Sequence, residues 1–223
     1  MDDDEDLFGL PRPRWSHHEI AILGGADEDD LAIAAGYLEV AELAVRHWIE
    51  RGPNDGLPIP ILYNYRHGIE LTLKWLIRLS ARCLVRSGYT QENLSPAKLN
   101  EKLRTHSIKK LAERLNRYLD LLKLPAPNNR IDDASLALLT WLDSEDETGE
   151  TFRYALVGHG SNSAPARPSQ MNLNFYEQVN EVHKIARLLY AGYSGYLDAF
   201  EQDQIEFLSE ARQEWEQEWQ DWS

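Results

Sequence analysis

Tyr63-Asn64-Tyr65-Arg66-His67-Gly68-Ile69-Glu70-Leu71-Thr72-Leu73-Lys74-Trp75-Leu76-Ile77 is the stretch that decides the fold. With Leu62 before it, Tyr65, Ile69, Leu73 and Leu76 recur at steps of three and four, the period of a helix with a buried face. A second apolar row, Leu71, Trp75 and Ile77, predicts burial on more than one side. Into this apolar helix the sequence sets Arg66, His67, Glu70 and Lys74. Steps of three and four place His67, Glu70 and Lys74 along one stripe. Ionisable groups in such a setting need partners, because leaving one buried and unpaired costs about 3–5 kcal/mol.

Working outward, a helix is expected before this one, from an N-cap at Asp27 to about Arg51, with Leu31, Ala34, Leu38, Ala41, Val45 and Trp48 inward. Gly52 to Gly56 with Pro58 and Pro60 stop it, and the central helix then spans about Ile61 to Arg86, closed by Ser87-Gly88. After a polar stretch at 89–105 with a short helix, His106-Ser107-Ile108 opens a helix that buries Ile108, Leu111, Leu115, Tyr118 and Leu122 and ends at Pro125. A shorter one begins near Asp132 or Asp133 and carries Leu136, Leu139 and Leu142. Residues 151–157 read as strand-like and lead into a loop through Gly158-His159-Gly160. From Asn172 a long helix follows, with Phe175, Val179, Val182, Ala186, Leu189, Tyr193, Tyr196 and Phe200 in one row. The expected fold is all-α, an up-and-down bundle with a long C-terminal helix. It divides into an acidic, proline-rich tail at 1–26, a helical bundle at 27–200 and an acidic Trp-rich helix at 201–223.

The 223 residues carry a formal net charge of -14, unevenly spread. Residues 1–30 and 198–223 are strongly acidic, whereas residues 60–130 hold an excess of Lys and Arg. That basic middle either faces a polyanion or receives the acidic ends folded back onto it. Cys83, the single cysteine, leaves no disulfide framework and no cysteine zinc site. The acidic N-terminus lacks a signal peptide's charge and no apolar run approaches the roughly 20 residues that cross a bilayer, so a cytoplasmic protein with no membrane contact is expected. Glycine-rich phosphate loops, nucleophile elbows and His-Glu-x-x-His zinc helices are missing, and neither a metal nor a cofactor is expected.

Arg66-His67-Gly-Ile-Glu70-Leu-Thr-Leu-Lys74 on one helix, His106-Ser-Ile-Lys-Lys-Leu opening another, and Phe152-Arg153-Tyr154 ahead of a long last helix together resemble the HEPN-like helical proteins of prokaryotic defence and toxin–antitoxin loci. The resemblance covers about Asp27 to Phe200. It implies a bundle of four or five helices, a homodimer, and in catalytic members metal-independent RNA cleavage by an Arg and a His with four to six residues between them. Arg153 and His159 have that spacing, although Gly158 and Gly160 put the pair in a loop where the family motif is helical. Arg12 and His17 match the spacing as well.

The candidate catalytic residues are therefore His67, Glu70, Arg153 and His159, with Arg66, Lys74 and His106 as binding residues. His67 or His106 would serve as the base, Arg66, Lys74 and Arg153 would hold phosphate, and Glu70 would orient an imidazole or the Arg side chains. Against this stands a buried network, His67–Glu70–Lys74 with Arg153 inserted, that only fixes helix register, or anion binding without chemistry. Trp215, Trp219 and Trp222 share one face of the terminal helix, which either packs on the bundle or docks a partner protein.

Overall fold

In the computed structural model the described residues are 24, 28–52, 54–124, 129–146, 149–157, 163–167, 170 and 172–222. Helices dominate: α1 (Asp30–Arg51), α2 (Pro58–Arg86), α3 (Pro96–Lys102), α4 (Ile108–Leu122), α5 (Asp133–Glu145), α6 (Phe175–Arg187) and α7 (Ser194–Asp221), the last two joined by a π-helical turn at Leu188–Tyr193. The all-α bundle expected from the sequence is present. Extended pairing among the described residues is two residues long, β1 (Leu156–Val157) antiparallel to β2 (Ala164–Pro165). Within the segment read as strand-like at 151–157, Leu156–Val157 is strand, and 151–153 is turn, where Arg153 and Tyr154 both donate their backbone N–H to Glu150 O.

The core is built around α2. Leu62, Tyr65, Ile69, Leu73 and Leu76 are all buried, and no residue from Ile61 to Ala81 is exposed. A helix enclosed on every side is why the apolar residues of this stretch occupy more than one face. Its sole thiol, Cys83, is buried as well, and desolvation pushes it up to about 11.

α1 runs antiparallel to α2, since Asp29 accepts from Trp75 Nε1 (2.7 Å) and Asp30 pairs with Arg78, while Ala34 and Leu38 lie over Gly68 further back. Asp29 is the N-cap, accepting from Leu31 N (3.0 Å) and Ala32 N (2.9 Å). The cap expected at Asp27 falls outside the described residues. α4 starts beside Glu70 and ends with Tyr118 near Glu92, so it runs alongside α2 in the same sense, the stretch 87–107 having carried the chain back. α5 returns antiparallel to α4: Asn116 exchanges hydrogen bonds with the Ile131 backbone, and Asp143 binds Ser107 and Ile108 at the opposite end.

The final helix departs from the expected row for a reason of pitch. It begins at Phe175, three residues after Asn172, and Val179, Val182, Ala186, Leu189 and Tyr193 face inward as expected. Beyond them the buried positions are Ser194, Leu197 and Glu201, not Tyr196 and Phe200, which are only partly covered. A π-turn holds an extra residue per turn, so a face kept by three- and four-residue steps upstream passes through the turn on steps of four. The boundary drawn at residue 201 falls inside this continuous helix.

The acidic ends do reach the basic middle. Arg78 pairs with Asp30, and Arg82 and Arg86 share Glu201, whereas Lys102 and Arg117 share Glu92 from within the middle itself. None of the described helices is long and apolar enough to cross a membrane.

Candidate functional site

A buried ionic cluster sits where α2, the start of α4 and the end of α5 meet. Arg66 and Glu70 are each 2% exposed and Asp146 is fully buried. One helical turn separates Arg66, Glu70 and Lys74, so α2 alone lines up plus, minus, plus. Glu70 Oε2 accepts from Arg66 Nη1 (3.3 Å), and Oε1 accepts from Lys74 Nζ (2.7 Å). Arg66 Nη2 donates to His106 O (2.9 Å) and to Asp146 O (2.8 Å), tying α2 to the turn before α4 and to the turn after α5. Arg66 Nε lies 3.3 Å from Asp146 Oδ2, an ionic contact without hydrogen-bond alignment, and neither atom has a hydrogen-bond partner among the described residues.

The turn after α5 wraps the cluster. Asp146 Oδ1 accepts from Thr151 N (2.6 Å), and Gly149, at φ 76°, lies beside the guanidinium, where a Cβ would make an ordinary contact 3.6 Å from Arg66 Nη1. That left-handed backbone suits glycine. Beside it, Asp143 caps α4 by accepting from Ile108 N (2.6 Å) and Ser107 Oγ (2.8 Å). The positive end of α4 is therefore already matched by a buried carboxylate.

His106 is the exposed member, with 61% of its side chain open to solvent. Its Nδ1 lies 2.9 Å from Glu70 Oε1. Burial pushes the Glu70 carboxyl up, but the hydrogen bonds and charges of Lys74 and His106 outweigh it and hold the group below its ordinary value. An ionised carboxylate can only accept. His106 Nδ1 must then carry the hydrogen, which leaves Nε2 as the ring's acceptor when the imidazole is neutral.

His67 has a different setting from the one its spacing suggested. It makes no hydrogen bond to Glu70 and sits between two tyrosines, edge-on to Tyr37 (4.4 Å, 80°) and parallel to Tyr63 (5.8 Å, 6°). Burial lowers its pKa, and the pull of Glu70 does not restore it. A histidine depressed on folding adds stability that is complete above its ordinary value of 6.5 and is lost as pH falls through the lowered value. Urea unfolding at pH 7.5 and 5.5 is accordingly expected to show a smaller loss of stability on acidification in His67→Phe than in the wild type. An identical loss in both would rule out that environment.

The other candidates separate. Arg66, Glu70, Lys74 and His106 converge, whereas Arg153 is not inserted among them: its Nε donates to Gly149 O (2.6 Å), its side chain lies over Tyr154, and the residue is exposed. Its charge still acts on His67 and Tyr63. His159 lies outside the described residues. Arg66 is unsuited to hold a phosphate, since its donors face Glu70, Asp146 and His106 O in the interior. Asp146, Asp143, Tyr37 and Tyr63 were not singled out from the sequence, and only the need of a buried Arg for acceptors hinted at any of them.

Near His106 in sequence lie three bases, while the exposed Glu150 follows the Gly149 that packs against the His106 side chain. Arg104, Lys109 and Lys110 are exposed and enter no ion pair among the described residues. Fold and site together define an all-α bundle with a buried charge cluster that presents a carboxylate-anchored histidine at its surface. No protein-family model, curated protein or solved structure matches the chain.

Proposed function

We propose that this chain is a HEPN-like protein of a bacterial defence or toxin–antitoxin system that acts on RNA at the His106 face, as a metal-independent endoribonuclease. The observation that carries the reading is the Glu70–His106 pair: a buried carboxylate fixes Nδ1 and orients an otherwise exposed imidazole. In that role Nε2 takes the proton of a ribose 2′-hydroxyl, the 2′-oxygen attacks phosphorus, the bond to the 5′-oxygen breaks, and that oxygen takes a proton from water. A 2′,3′-cyclic phosphate and a 5′-hydroxyl result. Arg104, Lys109, Lys110 and Arg153 supply the positive charge that holds the strand and meets the charge developing on phosphorus. His67 is set aside as the base, because its half-buried ring is held between Tyr37 and Tyr63 and not by a carboxylate.

The test incubates the full chain with single-stranded RNA in chelator, beside His106→Ala and Glu70→Gln. Cleavage is expected from the wild type, with a fall of about 10²–10⁴-fold in His106→Ala. No cleavage by the wild type, or equal cleavage by His106→Ala, sinks the catalytic reading; RNA retention that then disappears in Lys109→Glu/Lys110→Glu would leave an RNA-binding relative without chemistry.

A second reading is favoured by a separate observation. Trp215, Trp219 and Trp222 are exposed on the terminal helix, not packed on the bundle. In that reading the ionic cluster only braces the bundle, and the chain is a non-enzymatic interaction module that holds another polypeptide on its tryptophans.

A further inference from the structure

The last helix outlasts its neighbour. Leu197 is buried against the core, Glu201 is gripped by Arg82 and Arg86, and Gln204 Nε2 donates to Cys83 O (3.2 Å) and Ser87 Oγ (2.8 Å). α2 ends at Arg86, yet α7 continues to Asp221. The overhang beyond Gln204 is about 25 Å of helix at 1.5 Å per residue. At about 100° per residue, Leu208, Trp215, Trp219 and Trp222 fall on the same side as Leu197 and Glu201. The side that packs on α2 thus runs past it uncovered, with Trp215, Trp219 and Trp222 at 60%, 62% and 91% exposure. The Trp215 and Trp219 rings stand 5.9 Å apart at 53°, and with Glu218 and Trp222 they line an open groove of about 520 Å³.

The borders of this row are acidic. By the same rotation Glu214 and Glu218 follow one edge and Glu216 the other, where Arg212 is the one base between 198 and 223, against nine acids. All three glutamates are exposed, and none is paired with a base among the described residues. An apolar seam edged by open carboxylates is one half of a two-helix contact, in which the positions beside the seam select the partner by charge. Its complement carries an apolar row with Lys or Arg beside it. The rings add to that preference, because tryptophan is the aromatic that attracts a cation most strongly.

We infer that a basic amphipathic helix of a different protein occupies this face, its apolar row on Leu208, Trp215, Trp219 and Trp222 and its bases against Glu214, Glu216 and Glu218. This rests on the interaction-module reading, to which it adds the partner's chemistry, and owes nothing to the RNA chemistry. Nucleic acid and anionic lipid have the wrong sign for these borders, and so do residues 1–30, with ten acids against two bases. The basic middle of this chain does not fit either. Between residues 87 and 130 no large apolar side chain is exposed among the described residues, so that stretch offers charge without an apolar row. Aromatic side chains bury about 150–250 Å² each, so three mostly open tryptophans supply on the order of 400 Å². That is about half of one side of a standard interface, the size of a transient contact.

Fluorescence anisotropy reads binding of the full chain to a labelled peptide as long as the overhang, with Leu at helical three- and four-residue steps and Lys or Arg beside them. A companion peptide keeps the Leu row and replaces every base with Glu. The basic peptide is expected to bind about tenfold more tightly or better than the acidic one. Trp219→Ala/Trp222→Ala leaves the net charge unchanged and should weaken the basic peptide about tenfold or more. Glu218→Lys should weaken it too, whereas Glu206→Lys, the same charge change on the opposite side of the helix, should leave most of the affinity. These positions are exposed, and circular dichroism checks that the bundle remains folded. Equal, tryptophan-dependent binding of the acidic peptide overturns the inference and leaves the interaction module standing. If the tryptophan variant binds both peptides as the wild type does, net charge alone holds them, and the inference and the interaction module fall together. Self-association in sedimentation, or uptake by phosphatidylcholine vesicles, that the tryptophan variant abolishes would assign the face to a second copy or a bilayer and overturn the inference as well.

Discussion

Arg66→Ala is expected to lower the stability of the bundle by about 3–5 kcal/mol, the penalty for removing one member of a buried ionic group. The guanidinium contacts two buried carboxylates and two backbone carbonyls, and its loss affects them unequally. Glu70 keeps Lys74 and His106. Asp146 loses the one cation paired with it among the described residues while remaining fully buried, with Oδ2 already short of a hydrogen bond there. Asp146 O and His106 O lose their donor in the same step. Against a total stability of about 5–15 kcal/mol for a folded domain, a loss of this size brings the unfolded form into view near physiological temperature. Arg66→Lys keeps the charge but not the planar fork, and a smaller loss is expected. Urea titration at neutral pH measures both. A change under about 1 kcal/mol for Arg66→Ala would mean the group is solvated, as for an ordinary surface ion pair.

Gly68→Val is the second large effect. A Cβ on Gly68 would lie 2.7 Å from Leu38 Cδ2, 2.9 Å from Leu38 Cγ and 3.3 Å from Ala34 O. Leu38 is itself buried, and the Ala34 oxygen belongs to the backbone of α1, so neither can give way without parting the two helices. Overpacking of this kind costs about 1–3 kcal/mol or more, and valine adds a branched Cβ that α-helices tolerate poorly. Gly68→Ala is milder, because alanine regains up to about 1 kcal/mol of helix propensity over glycine. Coupling identifies the cause. In a double-mutant cycle, Gly68→Ala with Leu38→Ala should lose less stability than the two single changes added together. Strict additivity would show that the helices do not meet there.

How far the sequence could be read follows from which interactions are local. The apolar row of α2 and the Arg66–Glu70–Lys74 order are set by steps of three and four along one helix, and both appear in the structure. His67 has the same kind of spacing, but spacing gives no rotamer, and Tyr37 on α1 is what claims its ring. Glu70 meets His106 across thirty-six positions and Arg66 meets Asp146 across eighty. No local pattern in one sequence encodes such pairs, and Asp146 passed as one acid in the run from Asp143 to Glu150. The inward row of the last helix was legible as far as Tyr193 and lost its phase there, because composition does not announce a π-turn. The Trp row was legible as a face; that it stands clear of the bundle depends on α2 stopping at Arg86, which is a matter of relative length.

The enclosure of Cys83 has a practical corollary. Thiol-directed reagents attack the thiolate, and this sulfur is both walled in and held in its protonated form at neutral pH. A fluorophore or spin label directed to a cysteine newly placed on the surface, at Ser209 for example, would then report from that one address with the native thiol left in place.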